Sequence, residues 1–206
     1  MIAEPTFNYM SPQDYLDWEA TQELKHEYID GEVFAMTGGT IPHNLIALNL
    51  ASTLRAFLRG KGCRVFIADV KVQLSERGPY HYPDVMVSCD ERDRTAMKLI
   101  QYPCLIVEVL SPSTEAYDSP LETLRERGAK FRRYQQLSTL QEYVLVDATQ
   151  MSVDRFSRLS DRKWELQTYS EGEVLEFTSI HWQGAIDLLY EDVVFEPSPS
   201  DQGSAN

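Results

Sequence analysis

Two carboxylates, Asp84 and Glu108, occur in segments that have the character of β-strands. Asp84 follows Pro83 at the start of an apolar segment, a position where a strand tolerates proline. Glu108 interrupts the apolar run of residues 104–110. An ionised carboxylate without a partner is costly in a low-dielectric environment, so acids of this kind are normally paired, protonated or metal-bound. Two such acids on adjacent strands predict a site for a divalent cation.

The residues around Glu108 indicate which cation this site would bind. Alternation along a strand places Glu108 and Leu110 on one face and Val109 on the other, and the carbonyl of Val109 remains available. Asp84, Glu108 and that carbonyl would supply three oxygen ligands. Mg²⁺ is held by few protein ligands and keeps several waters, so this set suits it, with Mn²⁺ as a substitute. Such an ion can activate water and neutralise charge on a phosphodiester during hydrolysis.

Hydrolysis also benefits from a cation near the attacking water, and Leu110 cannot provide one. The following helix can, because Lys130 lies on one stripe with Arg127, Phe131 and Tyr134. We expect Lys130 to orient or deprotonate the water and to hold the carboxylates in place.

Each of these residues also has a structural interpretation. Asp84 could be a turn acid that caps backbone amides. Glu108 could form a structural ion pair with Arg127 or Lys130. Lys130 could be a solvated lysine on a helix surface.

Four further residues have open roles. His43 begins a helix after Pro42, where a structural role and a role in the site are both open. Glu27 and Glu32 flank a hairpin turn, and either could point at the site. Lys71 could reach the same cleft or be an ordinary lysine at a strand edge. The sequence has neither the G-x-x-x-x-G-K-[ST] phosphate loop nor the G-x-S-x-G elbow of serine hydrolases.

The predicted elements alternate between helices and strands. They are a capped helix at 11–23, a hairpin at 26–35 around Asp30-Gly31, a helix at 43–58, a strand at 64–74, the two acid-bearing strands, a basic helix at 121–137, a strand at 141–147, an antiparallel pair at 151–156 and 164–169, a short strand at 174–177 and a short helix at 186–189. This order predicts an α/β or α+β sheet with helices on both faces.

Composition restricts the class of protein. The chain has 206 residues and a net charge of −13, which disfavours strong non-specific binding to nucleic acid. A local cluster of basic residues nevertheless occurs in the predicted basic helix, at Arg125, Arg127, Lys130, Arg132 and Arg133. We expect one domain over 1–196, a disordered tail over 197–206, and neither a signal peptide nor a membrane span. The three cysteines fit a cytoplasmic protein and argue against a disulfide scaffold or a zinc site.

The order of these residues carries a resemblance to a known family. Pro83-Asp84 followed by Glu108 in an apolar strand resembles the PD-(D/E)xK nuclease superfamily. A larger set resembles, over roughly residues 10–190, a bacterial family of restriction-endonuclease-like proteins formerly classed as a domain of unknown function. That set comprises residues 27–32, His43, Pro83-Asp84, residues 108–114, Asp118, Lys130, Tyr134 and residues 142–147.

The resemblance implies a restriction-endonuclease-like core, with a central mixed sheet flanked by helices, an N-terminal hairpin and C-terminal antiparallel strands. It implies that Asp84 and Glu108 bind the metal, and that Glu27 belongs to the site. Leu110 stands where the superfamily has lysine, which implies that Lys130 replaces it from the neighbouring helix. The implied function is that of a Mg²⁺-dependent endonuclease acting on DNA as a homodimer. The alternative is a catalytically inactive nuclease-like module that binds nucleic acid or another protein.

Overall fold

Asp84 lies at the junction between two β-sheets. The computed structural model describes residues 9–36, 38–110 and 128–195. The segment Tyr82-Pro83-Asp84 leaves a strand of one sheet and enters a strand of the other. Residues 111–127, for which the sequence predicts roles at Asp118, Arg125 and Arg127, lie outside the described residues. Residues 1–8 and the predicted tail also lie outside them.

The helices are α1 (Pro12–Glu19), α2 (Ile41–Phe57) and α3, which includes residues 128–134. The strands are β1 (His26–Ile29), β2 (Glu32–Ala35), β3 (Arg64–Ile67), β4 (Lys71–Gln73), β5 (Tyr80–His81), β6 (Val85–Ser88), β7 (Leu99–Ile100), β8 (Leu105–Leu110), β9 (Glu142–Asp147), β10 (Ser152–Ser160), β11 (Lys163–Ser170), β12 (Val174–Phe177) and β13 (Trp182–Ala185). Short 3₁₀ helices cover Glu91–Asp93, Thr178–Ile180 and Ile186–Leu189.

The larger sheet has six strands in the order β11-β10-β9-β8-β6-β3. It is mixed, because β8 and β9 are parallel whereas β6 and β8 are antiparallel. A five-stranded sheet has the order β2-β1-β5-β4-β7, and β12 pairs with β13. The predicted α/β or α+β class, with a central mixed sheet and C-terminal antiparallel strands, is therefore confirmed.

Helices cover both faces of the six-stranded sheet. On one face, apolar residues of α2 such as Ile46 and Leu50 pack against Val107 and Val109. On the other face, Tyr134 and Leu137, in and after α3, pack in a second cluster that includes Met86, Ile106 and Tyr143. Complete burial of each large apolar side chain contributes about 1.5–3 kcal/mol, so these contacts hold both helices on the sheet. Alternation along β8 turns Glu108 to the face that α3 covers.

The N-terminal hairpin has the predicted turn. Asp30 and Gly31 have φ angles of 50° and 99°, and a two-residue type I′ turn requires positive values at both positions. The turn fixes the register in which Glu27 faces Phe34 and Ile29 faces Glu32. The hairpin prediction is confirmed.

Several predicted elements differ in extent. α3 ends at residue 134 rather than 137, and β10 continues to Ser160 rather than ending at residue 156. α1 begins at the predicted Ser11 cap but ends at Glu19, because Thr21 and Gln22 side chains donate to the Trp18 carbonyl and close the last turn. The segment predicted as one strand over 64–74 is two strands in different sheets. A turn at 68–70 separates them, with the Val70 amide donating to the Ile67 carbonyl at 3.1 Å.

The structure corrects the expectation about the cysteines, because Cys63 and Cys89 form a disulfide. β3 and β6 are antiparallel neighbours with Arg64 opposite Ser88, so the residues just beyond this pair also face each other. That proximity depends on strand register, which cysteine spacing in the sequence does not reveal. Cys104 is a free thiol. No helix within the described ranges is long and apolar enough to cross a membrane.

Candidate active site

Asp84 is held from two sides at the end of the segment that joins the sheets. Its Oδ2 accepts a hydrogen bond from the Val109 amide at 2.7 Å. The same oxygen lies 3.2 Å from His43 Nε2. The N–H and C=O of a strand residue point to the same edge of the strand, so the Val109 carbonyl lies on the side that Asp84 occupies.

Glu108 lies on the strand next to β6, as predicted, because Val85 and Val107 are direct cross-strand neighbours. Its Oε1 accepts a hydrogen bond from Tyr134 Oη at 2.7 Å. Lys130 Nζ is 3.1 Å from the same oxygen. α3 therefore places an ammonium group beside Glu108, although Leu110 occupies the nearest position of that strand face.

Glu27 reaches this cluster from the five-stranded sheet. Its Oε1 is 3.2 Å from Lys130 Nζ, and its Oε2 is 3.0 Å from His81 Nδ1. The His81 contact is a close approach and not a hydrogen bond, since neither ring nitrogen has a hydrogen-bond partner among the described residues. The amide of Tyr82 also donates to Oε1 of Glu27, at 3.4 Å. Lys130 thus bridges Glu27 and Glu108.

Two other candidates lie outside the cluster. Glu32 is exposed on the outer strand of the hairpin. The Lys71 ammonium lies 5.2 Å from the centre of the Tyr82 ring and 5.7 Å from that of Tyr15. Glu27, rather than Glu32, is the hairpin acid at the site.

The shared lysine acts differently on its two carboxylates. Burial raises the pKa of Glu108 to about 7; Lys130 opposes this rise and Asp84 adds to it. Burial would also raise the pKa of Glu27, but Lys130 and His81 outweigh it and hold that pKa well below its usual range. Burial would lower the pKa of Lys130, but Glu108 and Glu27 raise it, so Lys130 is an ammonium ion. The described carboxylates outnumber the ammonium group, and the repulsion from this excess of negative charge acts on Glu108, which also faces Asp84.

The oxygen atoms of Asp84 and Glu108 decide whether a divalent cation fits here. Within the described ranges no three His, Cys, Asp or Glu side chains are grouped as a ready metal cluster. In each of the two acids, however, one carboxylate oxygen is held by contacts, Oδ2 in Asp84 and Oε1 in Glu108. The other oxygen, Asp84 Oδ1 or Glu108 Oε2, makes no hydrogen bond or ion pair to other described residues. Two carboxylate oxygens, a backbone carbonyl and waters fit Mg²⁺, which needs few protein ligands. Its two positive charges would also offset the excess negative charge.

Residues 12–187 match the Uma2 family, described as "Putative restriction endonuclease". The chain belongs to the Uma2 family. This match confirms the resemblance that the ordered acids, lysine and tyrosine predicted.

Relatives and a solved structure agree with the membership in Uma2. The chain is 41% identical over 189 residues to the Synechocystis protein slr1290, covering 92% of this chain and 95% of that one. It is 30% identical to sll1609 of the same organism, covering 86% of this chain and 98% of that one. A crystal structure from Anabaena variabilis, titled a "putative nuclease", matches with a TM-score of 0.68 at 16% identity, covering 90% of this chain and 99% of that one. At that identity the likeness establishes the fold, which is restriction-endonuclease-like as predicted.

Three contacts of this Uma2 site go beyond the sequence predictions. The hydrogen bond from Tyr134 to Glu108 could have been found, because Tyr134 lies one turn after Lys130 on the same stripe. The contact between His81 and Glu27 has no sequence signal, since it joins different strands of the five-stranded sheet. The sequence leaves the role of His43 open, because nothing in it fixes where α2 begins relative to the strand ends.

Proposed function

We propose that this Uma2 protein is a Mg²⁺-dependent nuclease that hydrolyses phosphodiester bonds of DNA. The observation that carries the proposal is the Lys130 ammonium 3.1 Å from Glu108 Oε1, on a strand adjacent to the one that Asp84 precedes. Family membership and the nuclease-like fold support a nuclease, and the donor set suits Mg²⁺. Leu110 stands where the superfamily has a lysine, and in this proposal Lys130 of α3 supplies the positive charge instead.

Each residue has a defined part in this mechanism. Asp84, Glu108 and the Val109 carbonyl would hold Mg²⁺, which when bound polarises the phosphate and activates water. Lys130 is protonated, so it donates hydrogen bonds to position the attacking water and does not remove the water's proton. Glu27 holds Lys130 in the orientation that this role requires.

The proposed partner is nucleic acid that meets the site along α3. Among the described residues of the basic cluster, Arg132 is exposed and Arg133 is half-buried. A chain with net charge −13 needs such a local patch to approach phosphates. The proposal includes a homodimer, as the resemblance implies, in which two copies cut two strands.

The direct test is metal-dependent cleavage of four substrates: supercoiled plasmid, linear duplex DNA, single-stranded DNA and RNA. We expect cleavage of DNA with Mg²⁺ or Mn²⁺. Glu108→Gln and Lys130→Met should each lower the rate by about 10²–10³-fold, because each removes a charge that acts in the transition state. Lys98→Met, which alters an exposed lysine, should cleave like wild type. Thermal unfolding shows whether each variant folds.

Two results would contradict the nuclease proposal. One is the absence of cleavage of every substrate by folded wild type with either metal. The other is equal cleavage by wild type and Glu108→Gln. Cleavage of RNA alone would retain the mechanism and reject DNA as the substrate.

One observation favours a second candidate, a catalytically inactive module that binds nucleic acid. Lys130 already contacts two carboxylates, and Leu110 leaves its strand without a cation. Such a module would bind DNA equally well with Mg²⁺ or with a chelator, and Glu108→Gln would not change that binding. A nuclease would show metal-dependent cleavage that this substitution removes.

A further inference from the structure

We propose that His43 is a positioning residue that fixes the Asp84 carboxylate and leaves Asp84 Oδ1 directed to the cation. This inference rests on the proposed function, and assigns a role to a residue whose role the sequence leaves open. Its basis is the 3.2 Å contact between His43 Nε2 and Asp84 Oδ2.

Contacts on two sides restrict how the Asp84 carboxylate can rotate. The Val109 amide donates to Oδ2 from the edge of β8, and His43 approaches the same oxygen from α2. Removing one contact would leave the carboxylate free to turn about the other. Glu108 has a matching arrangement, in which Tyr134 and Lys130 both contact Oε1.

α2 is a rigid support for the imidazole. His43 lies in its first turn, where its amide donates to the Thr40 cap at 3.3 Å. One turn later Ile46, which is completely buried, begins the contact with the six-stranded sheet. Farther along, the Asn49 side chain donates to the carbonyls of Leu189 and Glu191, at 3.1 Å and 2.8 Å. The helix is therefore anchored to both the sheet and the C-terminal segment.

The loop before α2 also fits the imidazole closely. A Cβ atom added to Gly39 would lie 2.8 Å from His43 Nδ1, closer than real side chains approach. The ring is thus confined by the loop on one side and by Asp84 on the other. Only 20% of the His43 side chain is exposed, so water competes weakly for its contact with Asp84.

Calorimetric titration of the metal-free protein with Mn²⁺ tests this role without measuring cleavage. Loss of a residue that holds a metal-binding carboxylate typically weakens metal affinity about 10–100-fold, and we expect this loss for His43→Ala. His43→Gln should retain most of the affinity, because its amide nitrogen can take the place of Nε2. Asn44→Ala, at an exposed neighbouring position, should bind like wild type. Asp84→Asn should lose the site.

His43→Asn keeps a polar group in the first turn but is too short to reach Asp84, so it provides the same test if the alanine variant does not fold. We expect it to weaken affinity as His43→Ala does. If folded His43→Ala or His43→Asn binds Mn²⁺ like wild type while Asp84→Asn does not, the positioning role is wrong and the metal site stands. If wild type binds no Mn²⁺, or Asp84→Asn binds it unchanged, the proposed metal site fails and the role of His43 fails with it.

Discussion

At the scale of single residues, Glu108 and Glu27 share Lys130 but respond to it in opposite ways. Lys130 and His81 together keep Glu27 ionised. Burial and the facing Asp84 raise the pKa of Glu108 to about 7 despite Lys130. Glu27 is thus part of a stable ion pair, whereas Glu108 is the acid that a bound cation would most stabilise.

The raised pKa of Glu108 predicts a stability that depends on pH. A carboxyl whose pKa rises from 4.5 to about 7 on folding loses its contribution to stability as pH increases through that interval. The metal-free Glu108→Gln variant lacks this loss. Its free energy of unfolding minus that of wild type should therefore increase between pH 5 and pH 8. Denaturant unfolding at several pH values measures it. Glu32→Gln, at an exposed position, should follow wild type; a Glu108→Gln difference independent of pH would contradict the assignment.

Tyr134→Phe tests the hydrogen bond that supports Glu108. Without the hydroxyl one contact to Oε1 is lost, which should cost about 1–3 kcal/mol of stability and weaken Mn²⁺ affinity. Tyr28→Phe is the matched control, because it removes a hydrogen bond to the Met10 carbonyl outside the site. It should lower stability without changing Mn²⁺ affinity. Equal Mn²⁺ affinity of wild type and Tyr134→Phe would show that this hydroxyl does not support the site.

At the scale of elements, the site is assembled from β1, β5, β8, α2 and α3. The acid-bearing strands and the hairpin could be predicted, because alternation and turn chemistry are local properties of the sequence. The proximity of Lys130 to Glu108 joins a helix to a strand, and it could be predicted only from the helical stripe together with the family resemblance. Three other features could not be predicted: the break in the strand at 68–70, the disulfide between Cys63 and Cys89, and the contact between His81 and Glu27. Those features depend on how the two sheets and their registers meet, and the sequence of one segment does not record its distant neighbours.

Glu27→Gln tests the link between the hairpin and α3. It leaves the Lys130 ammonium and His81 without this carboxylate, so we expect a loss of about 1–3 kcal/mol of stability at pH 7. Because the pKa of Glu27 is lowered on folding, its contribution disappears as pH falls below 4.5 and toward the lowered value. The stability difference between wild type and variant should therefore shrink in acid. A difference that stays constant with pH would show that the ion pair is not its source.

At the scale of the whole molecule, a strongly acidic chain must bring one local basic surface to a phosphate backbone. Arg132 is exposed on α3, the helix that also carries Lys130. If it contacts a phosphate, Arg132→Ala should weaken DNA binding similarly for all sequences. It should also reduce the slope of log affinity against log salt by about 1.

Fluorescence anisotropy of labelled duplex DNA over a range of salt concentrations measures both effects. Arg162→Ala, at an exposed position between β10 and β11, is the control and should leave the slope unchanged. An Arg132→Ala slope equal to that of wild type would place the DNA on another surface.

In the proposed site a divalent cation lies between Asp84 and Glu108, beside Lys130 of α3. Anomalous diffraction from a crystal soaked with Mn²⁺ tests it most directly. We expect a peak in contact with Asp84 and Glu108, with the Lys130 ammonium still within about 4 Å of Glu108. A fully soaked crystal with no peak at these two acids, or with a peak only elsewhere, would contradict it.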